Sequence, residues 1–316
     1  MNMNKIGVIG TGFVGMASAY SLFQQKLANE IILVDKNENR SRGEALDLMH
    51  GQPLVGRCEV SSGDYSNLKG AGIIVICAGV SQSRPDENRL ELLQRNIAVF
   101  NNIAKELDHH TPDAMLLIAS NPVDVLTHAM QDLSQRPNNL VIGTGTLLDT
   151  SRLRTLLSSY YHVSPQSVHA YILGEHGDSE IPVWSSAYIA GLGIKESTIN
   201  GIEYNPEVLA RIASEVKNSA YEIIANKGYT NWAIGLVIAN IIRTVRNNQR
   251  TVLPVTVRLS GEYGIEDVCL SLPTIISSDG VENTITRSNL SPNKFFIAIN
   301  FKTNVKVKFI VHDIGI

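Results

Sequence analysis

Three glycines near the start of the chain, Gly10, Gly12 and Gly15, restrict the fold more than any other feature of the sequence. They form the pattern G-x-G-x-x-G in "KIGVIGTGFVGMASAY", between an apolar run that predicts a strand and a run that predicts a helix. We expect Gly10 to allow a tight turn, Gly12 to let the backbone approach a pyrophosphate, and Gly15 to allow close helix packing. The motif therefore predicts a βαβ unit whose helix N-terminus faces a negatively charged ligand.

An acidic residue at the end of the next predicted strand narrows the choice of ligand. Asp35 ends "EIILVD", about 20 residues after Gly15, where a carboxylate can accept a hydrogen bond from a ribose 2′-hydroxyl. The same carboxylate would repel a 2′-phosphate, so the pattern favours NAD over NADP. The alternative is a plain tight turn followed by a solvating acid, and Arg40 and Arg42 would soften the repulsion of a phosphate.

The first half of the chain alternates short apolar runs with longer amphipathic runs, which predicts a parallel sheet covered by helices. The predicted strands are residues 5–10, 30–35, 72–78, 114–119 and 140–144, and residues 85–108 are a predicted helix. After about residue 145 the pattern changes to helices at about 205–228 and 231–246, and then to strands at 252–259 and 268–276.

This alternation predicts an α/β fold with two domains. Residues 1–145 are expected to form a Rossmann-type doubly wound parallel sheet that binds the dinucleotide. Residues 146–316 are expected to form an α/β substrate domain, whose helix at about 231–246 can pack back on the first domain.

Composition narrows the classes of partner. The formal net charge is −3 and no basic face is evident, so we expect no nucleic-acid partner. No run approaches the ~20 apolar residues of a membrane-spanning helix, so we expect no membrane insertion. Cys58, Cys77 and Cys269 contain no C-x-x-C pair, which argues against a metal site or a disulfide framework and favours a reducing, cytoplasmic location.

Polar residues suited to catalysis occur in three segments. Asp149 and Arg152 lie one helical turn apart in "GTGTLLDTSRLRTLL", where they are either an ordinary ion pair or two parts of a site. His176, in "YILGEHGDSEIP", is either a solvated loop residue or a general acid and base near neutral pH. Asn121 directly follows a predicted strand, where it either binds a ligand at the sheet edge or caps a helix.

Together these segments resemble a known family. "GTGFVG", "SNPVDV", "GTGTLLDTSRLR", "VHAYILGEHGDSE" and "NKGYTNWAIG" are similar to L-lactate dehydrogenases of the bacterial type, within the lactate and malate dehydrogenase family. The resemblance runs from about residue 5 to about residue 290. It implies an NAD-binding domain followed by a substrate domain, conversion of pyruvate to L-lactate in glycolysis and fermentation, and assembly as a homotetramer.

The resemblance also implies a role for each candidate residue. His176 would donate a proton to the carbonyl of pyruvate while NADH delivers hydride, and Asp149 would orient His176 and stabilise its protonated form. Arg152 would hold the substrate carboxylate through two parallel hydrogen bonds, and a closing loop would bring in Arg89 to polarise the carbonyl. The implied pocket residues are Asn121 and Thr230, and the implied cofactor residues are Gly10, Gly12, Val14, Gly15, Asp35 and Asn121.

Two implied assignments have alternatives. The family selects its substrate at one loop position before a proline, where glutamine is typical of lactate and arginine of malate. The loop "SQSRPDENR" is one residue longer than usual: an extra residue at Ser83 makes Gln82 the specificity residue, whereas an earlier one brings in Arg84. Gln82 is favoured because the rest of the sequence resembles lactate dehydrogenases. Arg154 and His169 match positions where many bacterial relatives bind fructose bisphosphate between subunits, and otherwise would serve only subunit packing.

The resemblance ends near Pro292. From there the chain is rich in Phe, Ile, Val, Asn and Lys and partly alternates, which is typical of a strand, whereas the family has a charged amphipathic helix. That helix packs near the substrate pocket in the family. Three hypotheses follow: an L-lactate dehydrogenase, a dehydrogenase of malate or another 2-hydroxy acid, and a catalytically weak NAD-binding protein.

Overall fold

The computed structural model describes residues 2–80 and 89–286. The loop positions Gln82 and Arg84 lie outside the described residues. So does the segment after Pro292, with the strand predicted within it.

Within these ranges, a nine-stranded sheet forms the centre of the structure. Its parallel strands are β1 Asn2–Ile9, β2 Glu30–Val34, β3 Glu59–Ser62, β4 Ala71–Ile76, β5 Met115–Ile118 and β6 Val141–Gly143. They lie in the order β3-β2-β1-β4-β5-β6, so the winding direction reverses between β1 and β4. The predicted Rossmann-type sheet is confirmed, and β3 is a strand that sequence reasoning missed.

Helices cover both faces of the parallel strands. They are α1 Phe13–Gln24, α2 Glu38–His50, α3 Gln52–Val55, α4 Arg89–His110 and α5 Val123–Leu133. Alternate residues of β4 enter different cores: Ile73 and Val75 pack with α1, whereas Ile74 and Ile76 pack with α4 and α5. Because both faces are buried, the strands are continuous apolar runs in the sequence.

The region after β6 begins with α6 Leu147–Tyr161. Five two-residue strands follow, namely β7 Val168–His169, β8 Ile172–Leu173, β9 Ile181–Pro182, β10 Tyr188–Ile189 and β11 Leu192–Gly193. Two long helices come next, α7 Pro206–Lys227 and α8 Trp232–Arg246. Asn205 caps α7 by accepting hydrogen bonds from the N–H groups of Glu207 and Val208, and Gly228 ends it at a φ of +86°, as the sequence predicts.

Three antiparallel strands, β12 Thr251–Ser260, β13 Glu266–Ser277 and β14 Gly280–Thr284, extend the same sheet beyond β6. The connection is narrow, since Thr256 of β12 pairs with Gly143 of β6. α8 packs against α1 so closely that a Cβ on Gly235 would lie 2.7 Å from the backbone of Ala17. Segments from both halves of the chain therefore meet around the carboxyl ends of the parallel strands.

Within the described ranges, no helix is both long enough and apolar enough to cross a membrane.

Candidate active site

The glycine turn between β1 and α1 leaves open space for a ligand. Gly10 has a φ of +94°, and a Cβ there would lie 2.7 Å from the backbone nitrogen of Ala78. A Cβ on Gly15 would lie 1.8 Å from the carbonyl oxygen of Gly10, so helix and turn pack closely. A Cβ on Gly12 would meet no described atom within 4 Å, which fits a pyrophosphate at the N-terminus of α1.

Asp35 is fixed beside this turn. Its Oδ2 accepts hydrogen bonds from the N–H and the Oγ1 of Thr11, at 2.7 and 2.9 Å, and its Oδ1 accepts one from the N–H of Asn37 at 2.9 Å. Burial acts to raise the pKa of Asp35, but these hydrogen bonds and the charge of Arg40 outweigh it and hold the pKa below its ordinary value. The carboxylate is therefore ionised at neutral pH. Val14, within the first turn of α1, packs against the main core.

Asp149, buried on α6, joins the two residues predicted for proton transfer and substrate binding. Its Oδ2 lies 2.5 Å from Nδ1 of His176, and its Oδ1 accepts a hydrogen bond from Nη1 of Arg152 at 2.8 Å. The ion pair, one of the two alternatives that the sequence leaves open, is present and belongs to a three-residue cluster. The His176 side chain is 23% exposed, and Asp149 occupies Nδ1, which leaves Nε2 as the nitrogen available to a substrate.

The surroundings of His176 favour its protonated form. Burial acts to lower the pKa of His176, but the hydrogen bond and charge of Asp149, together with the charge of Asp124, outweigh it. Arg152 opposes them more weakly, and the pKa stays above its ordinary value. A histidine of this kind can hold a proton near neutral pH and deliver it to a bound carbonyl.

Asp124 is a site residue that sequence reasoning missed. It lies buried in the first turn of α5, where Oδ2 accepts a hydrogen bond from the backbone N–H of His176 at 2.8 Å. Its Oδ1 accepts one from Oγ1 of Thr256 at 2.6 Å. Burial raises the pKa of Asp124 to about 6. Its signal in the sequence, an acid in "SNPVDV", is also what an ordinary first helical turn has.

A cavity of about 400 Å³ lies between α6, α7 and the start of α8. Arg152 and Thr230, both predicted to contact substrate, line it together, and Lys227 adds a second cation. Asn121 lies exposed just beyond the carboxyl end of β5, and Arg89 is the first residue of α4. The cavity therefore unites two residues predicted to contact substrate, Arg152 and Thr230. Asn121 lies at the sheet edge where the sequence places it.

Of the two candidate effector residues, Arg154 contacts the backbone of the residue that follows His169. Nε of Arg154 donates a hydrogen bond of 3.0 Å to the carbonyl of Ala170, the residue after His169. The guanidinium of Arg154 also lies 5.1 Å from the ring centroid of Tyr171. His169 is exposed on β7.

Family models match nearly the whole chain. The model of the lactate/malate dehydrogenase NAD-binding domain matches residues 4–143, and that of the lactate/malate dehydrogenase α/β C-terminal domain matches residues 146–295. The chain belongs to the lactate/malate dehydrogenase family. The family resemblance seen in the sequence is therefore confirmed, and NAD is the cofactor that the family domain binds.

Several similar proteins are L-lactate dehydrogenases. The one from Salinibacter ruber is 53% identical over 280 residues, which cover 89% of each chain. The one from Gloeobacter violaceus is 44% identical over 291 residues, covering 92% of this chain and 88% of the relative. Among solved structures, a lactate dehydrogenase from a Medee basin deep-sea metagenome library is 37% identical, with a TM-score of 0.94 and 100% of both chains covered.

Proposed function

We propose that this member of the family catalyses the NAD-dependent, reversible reduction of pyruvate to L-lactate. The observation that carries the proposal is the cluster around Asp149, where one buried carboxylate contacts both His176 and Arg152. A proton donor and a receptor for a carboxylate are thereby fixed next to each other. A 2-oxo acid needs both groups at that spacing, because its carbonyl and carboxylate are adjacent.

The mechanism assigns one task to each residue. The planar guanidinium of Arg152 binds the substrate carboxylate through paired hydrogen bonds, which also orient the carbonyl. His176, protonated, donates the proton on Nε2 to the carbonyl oxygen, and Asp149 stabilises the imidazolium until transfer. Arg89 polarises the carbonyl as negative charge develops. In the reverse direction neutral His176 accepts the hydroxyl proton of lactate.

The residues of the first domain fit NAD. When bound as NADH, the cofactor supplies the hydride that reduces the carbonyl carbon. Gly10, Gly12 and Gly15 form the turn for its pyrophosphate, and Asp35 accepts a hydrogen bond from a ribose hydroxyl. Val14 and Asn121 complete the contacts, so residues 1–145 bind the cofactor and residues 146–316 carry most of the substrate site.

Substrate choice is the part of the proposal that the loop decides. Gln82 as the specificity residue favours pyruvate, whereas Arg84 in its place would favour the second carboxylate of oxaloacetate. The test is steady-state NADH oxidation by the purified full chain with each 2-oxo acid. A clear preference for pyruvate is expected. A preference for oxaloacetate would overturn it, and tight NADH binding without turnover of either would support the weak NAD-binding alternative.

Two surface features support an effector site and assembly. The guanidinium of Arg154 and the imidazole of His169 suit a phosphate of fructose bisphosphate. Activity unchanged by this ligand would remove the effector from the proposal. Large apolar side chains on α2, α3 and α8 are exposed, Leu54 by 90%, and such surfaces are typical of subunit contacts. We expect light scattering to give four times the chain mass of 34.5 kDa.

A cytoplasmic location belongs to the same proposal. The three cysteines, Cys58, Cys77 and Cys269, are free thiols, as a reducing compartment would keep them. The compartment that contains the enzyme would also have to supply its two substrates, pyruvate and NADH.

A further inference from the structure

Phe13, the first residue of α1, is 54% exposed, yet its ring stacks on another aromatic ring. The ring of Tyr229 lies parallel to it, with the centroids 3.7 Å apart and 2° between the planes. The ammonium group of Lys227 lies 4.6 Å from the centroid of the same Tyr229 ring. A stacked ring and a nearby cation together restrict the position of Tyr229.

The stack connects two parts of the site that are distant in sequence. Phe13 directly follows Gly12, where the backbone is open to the cofactor pyrophosphate. Thr230 directly follows Tyr229 and lines the cavity of about 400 Å³ with Arg152. A displacement of the Phe13 ring would therefore displace Tyr229 and, through one peptide unit, the cavity wall at Thr230.

Neighbouring contacts make this connection stiff. Nζ of Lys227 donates a hydrogen bond of 2.8 Å to Oδ1 of Asn231, which is buried at the start of α8. Further along α8, Gly235 packs directly on the backbone of Ala17 in α1. The segment from Lys227 to Gly235 thus follows α1, and the wall of the cavity has little freedom to move independently of the cofactor turn.

We propose that Phe13 and Tyr229 are positioning residues that couple the cofactor turn to the substrate wall at Thr230. The inference rests on the proposed function, which assigns NAD to the turn and the carboxylate of a 2-oxo acid to Arg152, a residue that lines the cavity with Thr230. With the stack intact, a turn ordered by NADH holds Thr230 and Lys227 in place for substrate. Without the stack, the cofactor still binds to the glycine turn. Binding of the substrate must then also order the cavity wall, and this lowers the affinity for the substrate.

The test measures substrate binding apart from turnover. Oxamate has the shape and charge of pyruvate but is not reduced, and its binding to the enzyme–NADH complex can be titrated by NADH fluorescence. Tyr229→Leu and Phe13→Leu should each raise the oxamate Kd about fivefold, as expected for loss of one aromatic pair. The double variant should match Tyr229→Leu, because that variant already removes the contact with Phe13. Tyr229→Phe keeps the ring and should bind like the wild type.

Further readouts separate coupling from general damage. The NADH Kd should stay within about twofold in each variant, and pyruvate KM should rise while kcat changes little. Tyr20→Leu is the matched control, since Tyr20 is another exposed aromatic residue of α1 and stacks on no ring within the described ranges. Thermal unfolding checks that each variant folds, and should Tyr229→Leu fail to fold, Phe13→Leu at its exposed position carries the test.

Several outcomes would overturn the inference. They are an unchanged oxamate Kd in both single variants, additive effects in the double variant, or a loss of assembly in light scattering that accounts for the weaker binding. The last result would make Phe13 a subunit contact instead. A wild-type chain that binds NADH but not oxamate would contradict the proposed function itself, whereas wild-type binding with unaffected variants would contradict only the coupling.

Discussion

The backbone N–H of His176 donates a hydrogen bond of 2.8 Å to Oδ2 of Asp124, which lies 52 residues earlier in the chain. Asp124 belongs to α5, whereas His176 lies in the loop between β8 and β9. The other oxygen of Asp124 accepts a hydrogen bond from Thr256 of β12 at 2.6 Å. One buried carboxylate therefore fixes the backbone of the proposed proton donor, while Asp149 contacts its ring.

Asp124→Asn should weaken catalysis without removing it. The variant keeps the shape of the side chain but loses one acceptor and the negative charge, so kcat/KM with pyruvate should fall roughly 3- to 30-fold. The charge of Asp124 helps to raise the pKa of His176, so the decline of pyruvate reduction with rising pH should begin at lower pH in the variant. Steady-state kinetics across the neutral range measures both effects.

The matched control is Asp132→Asn on the same helix. Oδ1 of Asp132 lies 2.5 Å from the guanidinium of Arg258, whereas the charges that shift the pKa of His176 are those of Asp149, Asp124 and Arg152. Its pH profile should be that of the wild type. A profile in Asp124→Asn that also matches the wild type would contradict the assigned influence on His176.

Although Asp124→Asn should weaken catalysis, it should gain stability relative to the wild type as the pH rises. The folded-state pKa of Asp124 is raised from 3.8 to about 6, so its ionisation favours the unfolded chain. The stability that this proton contributes is present below the unfolded-state value and is lost as the pH rises through about 6. Thermal unfolding should therefore show Asp124→Asn gaining stability relative to the wild type as the pH rises through this window. A constant difference would contradict the raised pKa.

Asp149→Asn should have the larger catalytic effect. Asparagine cannot stabilise an imidazolium by charge, so kcat should fall about 10²- to 10⁴-fold. The KM for pyruvate should rise as well, because Arg152 loses its 2.8 Å carboxylate partner. NADH binding, measured by fluorescence, should be unchanged and serves as the folding control. Wild-type turnover would remove Asp149 from the mechanism.

The sequence predicts the parallel sheet well because each of its inner strands is a continuous apolar run between turns. β3 was missed because two of its four residues are polar serines and it lies at the sheet edge. The strands β7 to β11 have only two residues each, too few for any periodicity to be recognised. The junction of β12 with β6 depends on one long-range pairing that no local pattern encodes.

The site residues also fall into those that the sequence predicts and those that it does not. Local pattern alone left His176, Asp149 and Arg152 with two alternatives each, and the resemblance of their segments to the family implied their roles. Asp124 was missed because its function depends on contacts with residues far along the chain, and Phe13 was missed because its partner lies beyond α7. Gln82 and Arg84 lie outside the described residues, so the choice between them stays a prediction for kinetics to test.

Arg152→Lys should act mainly on substrate binding. A lysine keeps the charge but offers one point donor in place of a planar fork, and it cannot contact Asp149 and a carboxylate in the same geometry. The KM for pyruvate should rise roughly 10- to 100-fold, the range of a charge-assisted hydrogen bond. Oxamate titration of the NADH complex checks that the loss is one of affinity. A change confined to kcat would contradict this assignment.

Asp35→Ser should change cofactor preference. The carboxylate of Asp35 is held ionised by Thr11 and Asn37, so its removal eliminates both an acceptor for the ribose hydroxyl and the charge that repels a 2′-phosphate. The NADH Kd should rise about tenfold while the NADPH Kd falls, measured by fluorescence titration with each cofactor. Asp47→Ser, an exposed acid on α2, is the matched control and should leave both values unchanged. Because the pKa of Asp35 is lowered on folding, the stability that its ionisation contributes is lost in acid. Asp35→Ser should therefore lose less stability than the wild type as the pH falls. For cofactor binding, an unaltered ratio of NADH to NADPH affinity would contradict the proposed contact with ribose.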